Sequence, residues 1–190
     1  DTPARAYRIF DTINNRGIGL NESDLVKNYL LEQLDHSGGD IDVWYNKWQE
    51  TLNVLDNAHV KEADFLRHYL MAYYGKTGPK EVFDTVSTHV ETKEQVENFI
   101  DDIYNSAKIY HRLKEPEPTD WFGEHDLIDD LLSFNSLNAK VVYPVLLKAV
   151  DVFGRDRKLF KQFVENLLKF FFRSRTICQT NATALEALMN

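Results

Sequence analysis

Residues 5–31, RAYRIFDTINNRGIGLNESDLVKNYLL, decide the fold class, because they read as two helices joined by a tight glycine corner. Thr2-Pro3, just ahead, is a helix start: the hydroxyl can cap free N–H groups, and proline at the first helical position loses no hydrogen bond. Ala6, Ile9, Phe10 and Ile13 then recur at the i, i+3, i+4, i+7 spacing of one buried helical face. Gly17 follows Asn14, Asn15 and Arg16, and glycine just past a helix tolerates the left-handed conformation that ends it. Asn21 predicts the next N-cap, Asp24 its third helical position, and Leu20 with Leu25 a hydrophobic staple across the cap.

The same period continues down the chain. Gly38-Gly39 predicts the end of the second helix; a third spans about 41–56 and another about 61–74, stopping at Gly75. Gly78-Pro79 opens a short helix through Val82, Phe83 and Val86, and Thr92 caps a long one over 93–113. Strict two-residue alternation is nearly absent, so no sheet is expected. EPEPTDW, 115–121, cannot continue a helix, since Pro116 and Pro118 favour extended backbone. The expected fold is all-α: an irregular multi-helix bundle, read as a lobe over 1–114, a linker over 115–121 and a second lobe over 122–190. Pro144 marks either a first-turn position or a kink, and Asn181 caps a last short helix.

Composition narrows the function classes. The 190 residues are 43% hydrophobic and 27% charged, ordinary for a globular protein able to bury a good core. Mean hydropathy of -0.43 and the lack of a long apolar run exclude a membrane span. A single cysteine, Cys178, allows no internal disulfide, which fits a reducing cytoplasm; its expected role is a small buried hydrophobe. The net charge of -8 argues against nucleic-acid binding over the whole surface. Residues 155–175 are the exception, with seven Lys or Arg against two acids. At about 100° per residue, Arg155, Lys158, Lys161, Lys169 and Arg173 share one helical stripe with Glu165, and Arg175 follows. Leu159, Phe160, Phe163, Val164, Leu167 and Phe171 cover the other side. This basic stripe is the candidate DNA contact, or simply a solvated face.

No self-contained active site is legible. His125 with Asp126, Asp129 and Asp130 has a spacing that metals use, but no further His or Cys ligand falls at a fitting place. There is no His-Glu-x-x-His, no phosphate loop and no Gly-x-Ser-x-Gly elbow. What local turn chemistry leaves unexplained is a gathering of polar groups at the corner: Asn14, Arg16, Lys27 and Asn28. They either satisfy the turn and face water, or form a surface for a phosphate-bearing ligand or another domain.

IFDTINNRGIGLNESDLVKNYLL resembles the I-F-E-T-L-N-D-R-G-x-x-L-x-x-x-D-L-I-K-N-Y-L-F segment of the GmrSD-type proteins, modification-dependent restriction enzymes and relatives of unknown function. The matching positions are Phe10, Asn14, Arg16, Gly17, Leu20, Asp24, Leu25, Lys27, Asn28 and Tyr29. A weaker echo, FRSRTIC at 172–178, is similar to the family's Arg-Arg-x-x-Cys helix ending, with Arg175 and Cys178 matching and Ser174 departing. In that family the segment follows a ParB-like nucleotide-binding domain with a D-G-Q-Q-R motif, and an HNH nuclease domain often closes the chain. Neither D-G-Q-Q-R nor an HNH array is present here. The resemblance therefore implies a non-catalytic middle region of a longer protein, whose nucleotide and divalent metal belong to the parent's other domains. It implies those two domains as partners, DNA as a further contact, and Asn14, Arg16, Lys27 and Asn28 as candidates for the nucleotide pocket or domain interface. A helical protein-interaction scaffold with no nucleic-acid role is the alternative.

Overall fold

The computed structural model describes residues 21–121, 123–178 and 180–189. The first half of the glycine corner, with Phe10, Asn14, Arg16, Gly17 and Leu20, lies outside the described residues. Among those described, every regular element is helical and there is no strand: α1 (Glu22–His36), α2 (Ile41–Asn57), α3 (Glu62–Tyr73), α4 (Val82–His89), α5 (Lys93–Lys114), α6 (His125–Ser136), α7 (Tyr143–Phe153), α8 (Arg157–Phe172) and α9 (Ala182–Met189). A 3-10 turn, Lys140–Val142, leads into α7, and a π-helical turn, Arg173–Ile177, prolongs α8. The all-α expectation holds. No described helix is long and apolar enough to cross a membrane.

Local chemistry sets most of the ends. Asn21 caps α1 as its sequence predicts, its side chain accepting from the Asp24 N–H at 2.9 Å. Asp40 does the same for α2 through Val43 N–H, and Asp156 for α8 through Leu159 N–H at 3.0 Å. Thr92 and Gln95 form a reciprocal box at the head of α5: Gln95 N–H donates to the Thr92 hydroxyl and Thr92 N–H to the Gln95 side chain. Asn181 accepts from Ala184 N–H at 2.8 Å. Pro144 sits in the first turn of α7, which settles the choice between a start and a kink. Gly38 and Gly75 take φ of +69° and +105° after α1 and α3, a conformation other residues adopt only with strain. The start of α4 has no cap of its own; Glu22 of α1 supplies one, accepting from Phe83 N–H at 2.9 Å.

The chain forms two compact units, one of 1–70 with 77–107 and the other of 71–76 with 108–190. In the first, Val26, Leu30 and Leu34 of α1, Trp48 and Leu55 of α2, Phe65 and Leu66 of α3, Val82 and Val86 of α4 and Phe99, Ile100 and Ile103 of α5 are all buried. Each such large side chain contributes about 1.5–3 kcal/mol through burial. Phe99 meets Tyr69 edge-on with ring centres 5.6 Å apart, and Tyr29 meets Phe83 likewise at 5.9 Å. Tyr29 also donates to Val90 O at 2.9 Å, tying α1 to the end of α4. Arg67 donates to Thr77 O at 2.9 Å, closing the chain on either side of 71–76.

In the second unit the core is Leu113, Trp121, Leu127, Leu131, Phe134, Val142, Tyr143, Leu146, Leu147, Phe160, Val164 and Phe171. The segment 115–121, read from sequence as a linker between lobes, is part of this unit. Trp121 is 4% exposed and stacks on Phe160 at 5.1 Å. Its indole N–H donates to Arg112 O at 3.0 Å, while the Arg112 guanidinium lies 4.9 Å over the ring and pairs with Asp120. The two prolines do end α5, but the tryptophan after them folds the segment back onto it. The division between units falls inside α5 instead.

Candidate functional site

Two places collect the sequence-predicted site residues, one in each unit. The first is the start of α1. Lys27 and Asn28 stand one turn on from Asp24 along this helix, and all three are half-buried. Beside them is Glu62, in the first turn of α3. Burial pushes the Glu62 carboxyl above its ordinary range, Lys27 opposes that shift and Asp24 adds to it, while the nearby Ser23 hydroxyl donates to the Asn21 side chain at 2.6 Å. Trp48 Nε1 lies buried near the same carboxyl without a hydrogen bond of good geometry. Lys27 therefore answers a carboxylate of its own unit, a competing demand on any role with phosphate. Asn14 and Arg16, the other two candidates, lie outside the described residues.

A carboxyl whose pKa is raised on folding adds stability below its unfolded value, and that stability is lost as pH rises through the folded one. Glu62→Gln is accordingly expected to stabilise the first unit near neutral pH, by about 1 kcal/mol or less, and to leave it unchanged near pH 4. Thermal melts of both proteins across that pH range test this. Equal midpoints at neutral pH would mean that the buried carboxyl carries no penalty.

The second place lies between α6 and α8, which run parallel. At their N-terminal ends Glu124 takes both Arg157 and Lys161, and Asp126 takes Lys161 at 3.0 Å. Lys161, then Arg157, holds the Glu124 carboxyl below the usual range, while Glu124 and Asp126 raise the Lys161 ammonium in turn. One turn on, burial together with Glu165 and Asp126 pushes Asp130 up. Glu165 pairs with Lys169 along α8. Toward the C-terminal ends, above an edge-on contact between Phe134 and Phe171, the helices open into a cavity of about 460 Å³. Its apolar lining is Leu137, Leu168 and Phe172, with Ser133 and Ser136 on one side and Lys169 and Arg173 on the other. A second cavity, about 350 Å³, shares Leu137 and adds Phe171 and Leu185, with Lys140 and Arg175 at its edge.

The basic stripe thus divides. Lys161 faces carboxylates, Lys169 and Arg173 line the first cavity, and Arg175 lines the second while donating to Thr180 O at 2.9 Å. Arg155 and Lys158 are exposed and line neither. The cavities themselves were not legible as a site. One signal was available: Phe170-Phe171-Phe172 cannot all point into a core at about 100° per residue. Phe171 is buried, whereas Phe170 and Phe172 are 43% and 49% exposed. Cys178, expected to be a small buried hydrophobe, is exposed, because the π-helical turn ends the packed face before reaching it. No group of three or more His, Cys, Asp or Glu is placed to hold a metal ion among the described residues, His125 and its neighbours included. No family model, no curated protein and no solved structure matches the chain.

Proposed function

We propose that the chain is the non-catalytic helical region of a GmrSD-like DNA-defence protein, packing on a ParB-like nucleotide-binding domain through the 5–31 corner. The observation that supports this reading is that three of the motif positions, Asp24, Lys27 and Asn28, gather in the first two turns of one helix, behind the Asn21 cap. Nucleotide, divalent metal and bond cleavage belong, on this reading, to the flanking ParB-like and nuclease domains. Arg16 and Lys27 approach phosphate by charge, and Asn14 by hydrogen bonding. Arg155 and Lys158, exposed and outside the cavities, are the cations best placed for a DNA backbone.

The full-length protein tests it. Arg16→Ala combined with Lys27→Ala is expected to weaken nucleotide binding at least tenfold, and Lys27→Arg alone to retain most of it while keeping a cation beside Glu62. Unchanged nucleotide binding in the double variant would end the pocket role. The scaffold reading is favoured by a different observation, the two cavities that share Leu137, one between the ends of α6 and α8 and the other bordered by Phe171 and Leu185.

A further inference from the structure

We infer that the paired cavities at the C-terminal ends of α6 and α8 bind an acidic, amphipathic segment of a partner polypeptide, with apolar side chains seated on either side of Leu137 and carboxylates meeting the surrounding cations. The inference does not depend on the family reading, since it uses none of the corner residues. Both volumes, about 460 and 350 Å³, fall in the range of about 300–1,000 Å³ typical of sites that hold ligand groups. Leu137, which lines both, and Phe172, which lines the first, remain 39% and 49% exposed, so apolar surface is left for an occupant to cover.

Charge says which occupant. The chain as a whole carries -8, yet the charged residues of both linings are all cationic: Lys169 and Arg173 in one, Lys140 and Arg175 in the other, and since Lys169 already pairs with Glu165, Arg173 and Arg175 are the cations the inference turns on. An apolar floor inside a cationic edge complements apolar anchors flanked by Asp or Glu. A nucleic-acid backbone would use the cations but gain nothing from Leu137, Leu168 and Phe172. A continuous track of cations for phosphates is also interrupted upstream, where Arg157 and Lys161 are held by Glu124 and Asp126.

The π-helical turn is the second, independent pointer. It runs over Arg173–Ile177, closed by Cys178 N–H donating to Arg173 O at 3.0 Å. Such turns are rare, give up regular helical hydrogen bonding and concentrate at functional sites. Here the turn carries Arg173 to one cavity and Arg175 to the other, two residues apart.

The test uses the whole chain and fluorescence anisotropy with three labelled probes. One is an amphipathic peptide of about sixteen residues with Leu and Phe on one face and Glu beside them. The second is the same peptide with every Glu replaced by Lys, and the third is a short DNA duplex. The acidic peptide is expected to bind saturably, and the Lys peptide at least tenfold more weakly. Arg173→Glu with Arg175→Glu is expected to reduce acidic-peptide affinity at least tenfold, and Leu137→Asp to do the same through the floor. Lys158→Glu, outside the cavities, should leave it unchanged. Far-UV circular dichroism and the unfolding midpoint identify any variant that has lost its fold. Failure of the acidic peptide to bind overturns the inference. So does equal binding of the Lys peptide, loss of affinity in Lys158→Glu alone, or a duplex that binds through Arg173 and Arg175 where the acidic peptide does not.

Discussion

Trp121→Ala is expected to cost the second unit about 3–5 kcal/mol, the range for removing a large aromatic side chain from a core. Three interactions go at once. Phe160 loses the ring stacked on it, the Arg112 guanidinium loses the face it covers, and the Arg112 carbonyl loses its indole donor. The last leaves a backbone acceptor at the end of α5 to be satisfied by water entering a closed site. Segment 115–121 would then be tied to α5 mainly through Arg112, which pairs with the Asp120 carboxylate and donates to its carbonyl, and a half-exposed ion pair of this kind is worth little. Urea unfolding followed by circular dichroism reads the loss in the transition that carries this unit. Trp121→Phe keeps a ring to stack but not the N–H, so its cost should fall to about 1–2 kcal/mol. If the alanine variant unfolds within about 1 kcal/mol of the parent, Trp121 is a surface cover and the segment is a linker after all.

Asn135→Ala carries the second large effect, about 2–4 kcal/mol, through hydrogen bonds rather than volume. Asn135, on α6, holds three groups together. Its amide donates to Lys114 O at 2.5 Å, and its carbonyl accepts from the Lys114 ammonium at 2.7 Å and from the Tyr143 hydroxyl at 2.6 Å. Tyr143 is 2% exposed and stacks on Tyr110 at 4.9 Å, with the Lys114 ammonium 5.2 Å over its ring. Burial pushes the tyrosine pKa up and the lysine pKa down, so both polar ends depend on the bonds that Asn135 supplies. Asn135→Asp retains the acceptor but not the amide donor to Lys114 O, and should lose less than the alanine variant. Thermal melts with near-ultraviolet dichroism of the tyrosines rank the two. An aspartate variant as damaged as alanine would show that the donor, not the acceptor, holds the cluster.

What could be read from the sequence follows the range of the interactions. Caps at Asn21, Thr92 and Asn181 depend on neighbours within about four residues, and local rules find them, whereas at Pro144 local rules left a first turn and a kink both open. Glu22 capping Phe83 spans 61 residues, and Asn135 meeting Lys114 spans 21; no local period encodes either. The segment 115–121 divides in the same way. Its prolines announce the end of a helix, but the burial of Trp121 is decided by Phe160, far along the chain. For the candidate site, helical phase placed Lys169 and Arg173 on one stripe, and the structure adds that they border an apolar opening. The opening itself comes from α6 and α8 parting at their ends, a tertiary event. Lys27 and Asn28 fell on a helix start as the motif implied, yet the carboxyl of Glu62 beside them belongs to another helix and went unread.

Residues 71–76 belong to one unit while the chain on both sides of them, through Leu70 and from Thr77, belongs to the other. Neither unit therefore corresponds to an unbroken run of codons. Any single stretch of the gene that encodes the whole of one unit also encodes part of the other. A truncation made to isolate one unit must therefore keep that overlap or lose part of a core.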